Sequence, residues 1–141
     1  ITMADMKATN RELLRCGAPI QEMNTVRKHL SAIHGGKLAA ATRARVVALI
    51  ISDVTGDDPT HIGSGPCAPD PTRYADALDI ISRYGVAAPA AVVERLQRGA
   101  RSEIDETPKP GDPVFDRVEN RVVATAQLSL QAAARVFEAA G

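Results

Sequence analysis

Residues 45–70 read RVVALIISDVTGDDPTHIGSGPCAPD, and this stretch decides the fold. The run from Arg45 to Ser52 is strand-sized, rich in β-branched side chains and apolar from Val46 through Ile51. Length and composition together predict a strand rather than a buried helix. Its apolar residues do not alternate with polar ones, which predicts burial on both faces, as in the parallel sheet of an α/β domain. Hydrophobicity stops at Asp53, at the carboxyl end of the strand. Ligands of open α/β sheets bind beyond that end. Asp53, Asp57 and Asp58 are therefore candidate catalytic carboxylates or Mg²⁺ ligands. Hard carboxylate oxygens suit that ion, and a carboxylate can equally orient or deprotonate a hydroxyl. The competing use of the three is to cap turns. Gly63-Ser64-Gly65-Pro66 follows, and backbone amides in such a glycine-flanked turn can approach an anion closely. Ser64 and Gly65 are accordingly candidate phosphate or substrate donors, although a Gly-Ser-Gly turn is also a common structural element.

Upstream, Thr2 with Asp5 three residues later has the form of a capping box and opens a helix that Gly17 closes. Pro19 suits the first turn of a second helix. Ile20, Met23, Val26, Leu30 and Ile33 recur at helical spacing and are expected to face the core, with Gly35-Gly36 breaking the helix. Asn24, Arg27, Lys28 and Ser31 form another stripe. Asn24, Arg27 and Lys28 are candidate anion-binding residues, because a guanidinium fork matches carboxylate or phosphate. A solvated polar face is the plainer reading of the same spacing. Lys37–Ala41 is expected to form a short third helix. Gly35-Gly36-Lys37 lacks the spacer and the following Ser or Thr of a P-loop.

Downstream, Asp70-Pro71 reads as an N-cap and first-turn pair opening a helix that closes at Gly85. Pro89 opens another, closed near Gly99. Residues 105–113, DETPKPGDP, are too rich in Pro and Gly for regular structure. Arg121–Thr125 reads as a second buried strand and Leu128–Ala140 as an alanine-rich final helix. The expected class is helix-rich α/β, a partial doubly wound, Rossmann-like layer with few parallel strands.

Composition narrows function. The chain has 141 residues and a formal net charge of zero, which argues against a nucleic-acid platform. No segment approaches the length of a membrane span. Cys16 and Cys67 carry no metal spacing and are expected to be reduced thiols in a cytoplasmic protein.

Taken together, CGAPIQEMNTVRKHLSAIHGGKLA (residues 16–39) and LIISDVTGDDPTHIGSGPCAPD (residues 49–70) closely resemble the amino-terminal domain of the class II glycerate kinases. Bacterial members of that family often carry the name hydroxypyruvate reductase. TPKPGDPVF and NRVVATAQLSLQAAA resemble it as well, so the likeness covers essentially the whole chain. His34 stands where the family usually has Lys, Cys67 where it often has Thr, and Ala126 where a polar residue is expected. The resemblance implies ATP- and Mg²⁺-dependent phosphorylation of D-glycerate, with 2-phosphoglycerate favoured as product. It also implies that residues 1–141 are a single domain, an internal part of the amino-terminal domain, inactive alone. An upstream lysine loop and a carboxy-terminal domain supplying an arginine would be absent. The expected partners are glycerate and either the rest of the polypeptide or a second copy, with no nucleic acid or membrane. Two alternatives are a nicotinamide-dependent hydroxypyruvate reductase and a non-catalytic α/β interaction module. The reductase would need a Gly-x-Gly-x-x-Gly turn. Gly63 and Gly65 come closest, but position 68 is Ala.

Overall fold

The computed structural model describes residues 1–140. In chain order it contains helices α1 (Met3–Arg15), α2 (Ile20–Leu30) and α3 (Lys37–Ala40), strand β1 (Val46–Ser52), helices α4 (Tyr74–Arg83) and α5 (Ala90–Ala100), strand β2 (Val118–Thr125) and helix α6 (Ala126–Ala140). The strands pair in parallel, from Val46 opposite Val118 to Ser52 opposite Thr125, with an irregularity between Ile50 and Ile51. The chain is thus helix-rich α/β with a two-stranded parallel sheet. No helix among the described residues is long and apolar enough to cross a membrane.

Local signals account for most of the boundaries. The Thr2 hydroxyl accepts from the Asp5 amide while an Asp5 carboxylate oxygen accepts from the Thr2 amide, which closes the box at the start of α1. Gly17 and Gly85 follow α1 and α4 in the left-handed conformation that relieves a helix end. The principal core lies among helices, not on the sheet. Leu13 of α1, Val26 of α2, Tyr74 and Ile80 of α4, and Val92 and Leu96 of α5 are buried together.

Four expectations are corrected. Helix α2 ends at Leu30 rather than at the glycine pair, because Ser31 is extended and its hydroxyl accepts from the Ile33 and His34 amides. Ile33 is consequently exposed, and Ile20, at the opposite end of α2, is exposed as well. Helix α4 begins at Tyr74, and Asp70 is not its N-cap. The Asp76 carboxylate accepts from the Arg73 amide at 2.7 Å instead. Strand β1 is not covered on both sides. Val47, Leu49 and Ile51 stand on one open face, Leu49 at 67% and Ile51 at 74% exposure. Strand β2 begins three residues earlier than expected, at Val118.

Helix α5 closes at Ala100, next to Gly99 as expected, and Gly99 lies in its last turn. A Cβ there would lie 2.1 Å from Cγ of the buried Tyr74 ring. Only glycine lets α5 and α4 approach this closely. Gly99→Ala is expected to cost about 1–3 kcal/mol of stability or more, the range for forcing a methyl into a packed core. A drop in thermal midpoint followed by circular dichroism checks it.

Candidate functional site

The carboxyl end of β1, one face of α2 from Ile20 to Arg27 and the turn Ile62–Ser64 enclose an open cleft of about 460 Å³. Its walls include Asn24, Arg27, Asp53, His61 and Ser64, with Ile20 and Val54 as apolar surface. Four of the residues singled out from sequence therefore meet here: Asn24, Arg27, Asp53 and Ser64.

The floor is a hydrogen-bonded brace. The Ser64 hydroxyl donates to Asn24 Oδ1 at 2.9 Å, and Arg27 Nη1 donates to the same oxygen at 3.2 Å. Asn24 Nδ2 donates to the His61 carbonyl at 3.2 Å. Asn24 is buried, so its amide is spent on joining α2 to the turn. A second clamp comes from the glycine pair. The Gly35 amide donates to the Ser64 carbonyl at 3.0 Å and the Gly36 amide to the Gly65 carbonyl at 2.8 Å. Lys37 Nζ then donates to the carbonyls of Lys28 and Ser31, satisfying the carboxyl end of α2. Burial, with Arg95 adding to it, pushes the Lys37 ammonium down to about 8.

Lys28 and Gly65, both expected at the site, are occupied elsewhere. Lys28 is 2% exposed and its ammonium lies 3.3 Å from the fully buried Asp70 carboxylate. The helix rotates it away from Arg27 and into the interior. The Gly65 amide donates to the Ile62 carbonyl, so it has no donor to spare for a phosphate. Gly65 is left-handed, and a Cβ there would meet the Thr60 carbonyl oxygen at 2.9 Å, so its role is to let the turn close.

Asp57 and Asp58 lie outside the cleft lining. Asp58 Oδ1 accepts from the Thr60 amide at 2.8 Å, and that bond holds its carboxyl below the ordinary value. Asp57 sits at a positive φ of 52° inside the turn. Among the described residues no three His, Cys, Asp or Glu side chains converge as a metal cage. A magnesium ion carried on a nucleotide asks less of a protein, one or two carboxylates beside the phosphates. Asp53 fits that need, whereas a paired Asp57–Asp58 site in the cleft does not follow from this geometry.

A second, fully buried polar centre forms around Asp70, and local patterning gives no sign of it. Asp70 Oδ1 accepts from the Thr72 amide and hydroxyl and from Lys28, and Oδ2 accepts from the Thr107 hydroxyl at 3.0 Å. Burial alone would raise the Asp70 carboxyl; the Thr72 bonds and the nearby Lys28 and His29 hold it below its ordinary value. His29 is fully buried, with its Nδ1–H donating to the Thr25 carbonyl at 2.8 Å, and burial keeps the ring below its ordinary pKa. Lys109 donates to Glu106, Thr107 and the Thr72 carbonyl, so the loop at residues 105–113 is pinned onto this centre. Cys16 and Cys67 are both unpaired.

A family model described as a domain of unknown function, DUF4147, matches residues 1–97, and the chain belongs to that family. Its relatives carry more telling names. It is 51% identical to an Agrobacterium vitis protein provisionally named a hydroxypyruvate reductase, covering 100% of this chain and 31% of that protein. It is 41% identical to a glycerate 2-kinase of Pyrococcus horikoshii, covering 100% of this chain and 32% of the relative. Among solved structures, a glycerate kinase of Thermotoga maritima superposes with a TM-score of 0.76 at 36% identity, covering 90% of this chain and 28% of the other. The chain thus spans about a third of the length of the curated relatives it matches.

Proposed function

We propose that the whole protein transfers the terminal phosphoryl group of ATP to D-glycerate, giving 2-phosphoglycerate, and that the cleft described above holds an anionic group of one of these substrates. The observation that carries this reading is the setting of Arg27. Its guanidinium faces a cleft shared with Asp53 and Ser64, and its contacts there are neutral amides rather than carboxylates. The names of the kinase relatives support the substrate and the position of transfer.

Phosphoryl transfer asks a protein chiefly for positioning and for stabilisation of charge. Arg27 presents a planar fork that matches a carboxylate or phosphate edge. Asp53, fixed by the end of β1, orients the attacking hydroxyl and accepts its proton. Ser64 keeps its oxygen lone pairs available while its proton is given to Asn24. Magnesium, when bound, would neutralise phosphate charge beside Asp53. Ile20 and Val54 supply apolar walls. The rest of the polypeptide closes the open side of the cleft and covers the bare face of β1.

Incubating the whole protein with ATP, Mg²⁺ and D-glycerate should release ADP and 2-phosphoglycerate, resolved by phosphorus NMR. Oxidation of NADH with hydroxypyruvate, without glycerate-dependent ADP release, would favour the reductase named for the Agrobacterium vitis relative instead.

A further inference from the structure

Arg27 is held by oxygen atoms that carry no charge. Its Nε donates to Asn10 Oδ1 of α1 at 2.8 Å, and its Nη1 donates to Asn24 Oδ1 at 3.2 Å. Several exposed arginines have an anionic partner instead: Arg15, Arg45, Arg83 and Arg121 each lie within 4.0 Å of a carboxylate. Among the described residues Arg27 has no such partner. A guanidinium fixed by an aspartate would be oriented just as well, but most of its attraction for a second anion would be cancelled. An asparagine at position 10 fixes the fork and leaves the charge intact.

We propose that Asn10 is a positioning and specificity-determining residue, whose neutral side-chain carbonyl aims Arg27 into the cleft and keeps its positive charge free for a carboxylate or phosphate of the ligand. This rests on the anionic cleft proposed above, and it adds a residue in a different helix that lies outside the cleft lining. Its distinctive consequence is an order of effects. If Asn10 served only to hold α1 against α2, Asn10→Asp would be harmless, because a carboxylate accepts from arginine more strongly than an amide does. Asn10→Ala would be the damaging change. If neutrality is the point, Asn10→Asp is the worse of the two for ligand binding while leaving the melting temperature equal or higher.

Calorimetric titration of the whole protein with D-glycerate, ATP and inorganic phosphate, separately, tests this. Asn10→Asp is expected to weaken one or more of the three by at least about tenfold, the equivalent of one lost charged hydrogen bond. Asn10→Ala should weaken it less. Weakening confined to D-glycerate assigns the carboxylate to Arg27, and weakening with ATP and phosphate assigns a phosphate. If Asn10→Asp does not fold, Asn10→Ser against Asn10→Ala carries the comparison, serine restoring affinity that alanine loses. Affinities unchanged in Asn10→Asp, or in Asn10→Ala where only that pair folds, overturn the proposal. So does a wild-type protein that binds none of the three. Binding of phosphate that is sensitive to Asn10→Asp, in a protein that ignores D-glycerate, sinks the glycerate reading while sustaining the role of Asn10.

Discussion

Asp70→Ala is expected to destabilise the protein by about 3–5 kcal/mol, the cost of leaving one member of a buried ion pair without its partner. Asp70 is 0% exposed and Lys28 2%, so water cannot take over the ammonium once the carboxylate is gone. The loss extends beyond the pair. Thr72 and Thr107 lose their acceptor, and the Asp70 amide that donates to the Pro108 carbonyl at 2.9 Å is freed to shift. Chemical denaturation read by circular dichroism checks the magnitude. Lys28→Met with Asp70→Leu together should cost much less than Asp70→Ala alone, because no orphaned charge remains. The same centre dictates acid sensitivity. His29 has its pKa depressed by burial, so the unfolded chain takes up a proton as pH falls through 6.5 while the native imidazole resists it. Stability contributed by the neutral ring is present above that pH and is lost below it. Asp70 is depressed from 3.8, so its contribution persists until pH falls below that value. Stability should therefore decline in two stages on acidification.

Asp53→Asn is expected to lower kcat for glycerate phosphorylation by about 10²–10⁴-fold, the range for removing a positioned general base. The change is nearly isosteric and the side chain is exposed at the end of β1, so the fold should be little affected. Steady-state kinetics of the whole protein separate this from a binding defect. A base gives a fall in kcat with a modest change in KM for glycerate, whereas a residue that only binds raises KM. Asp58→Asn should act weakly by comparison, because the Asp58 side chain serves the Thr60 amide and an asparagine oxygen can accept the same bond.

The parallel strands and helices were legible because they rest on local periodicity and capping. The apolar runs at Arg45–Ser52 and Arg121–Thr125 mark the two strands, which pair in parallel. What escaped was set by partners far along the chain. Asp70-Pro71 has the local chemistry of a helix N-cap, but the Lys28 that claims Asp70 lies 42 residues away. Lys28 itself sits in a stripe with Asn24 and Arg27 and was indistinguishable from them by spacing. Tertiary packing sends Lys28 inward and leaves Arg27 at the cleft. The absence of alternation in β1 points to burial on both faces, and the open face shows that an apolar run reports a surface suited to cover rather than the cover itself. Of the three aspartates, only Asp53 has its backbone tied to the strand end, and only Asp53 lines the cleft. Proline and glycine mark residues 105–113 as irregular, yet Glu106, Thr107 and Lys109 among them close the buried centre.

The decisive experiment is a crystal structure of the whole protein with D-glycerate and a non-hydrolysable ATP analogue bound. A carboxylate or phosphate oxygen is expected within hydrogen-bond distance of the Arg27 guanidinium, with Asp53 beside the reacting hydroxyl. Both ligands seated elsewhere, with Arg27 still bonded only to Asn10 and Asn24, would contradict it.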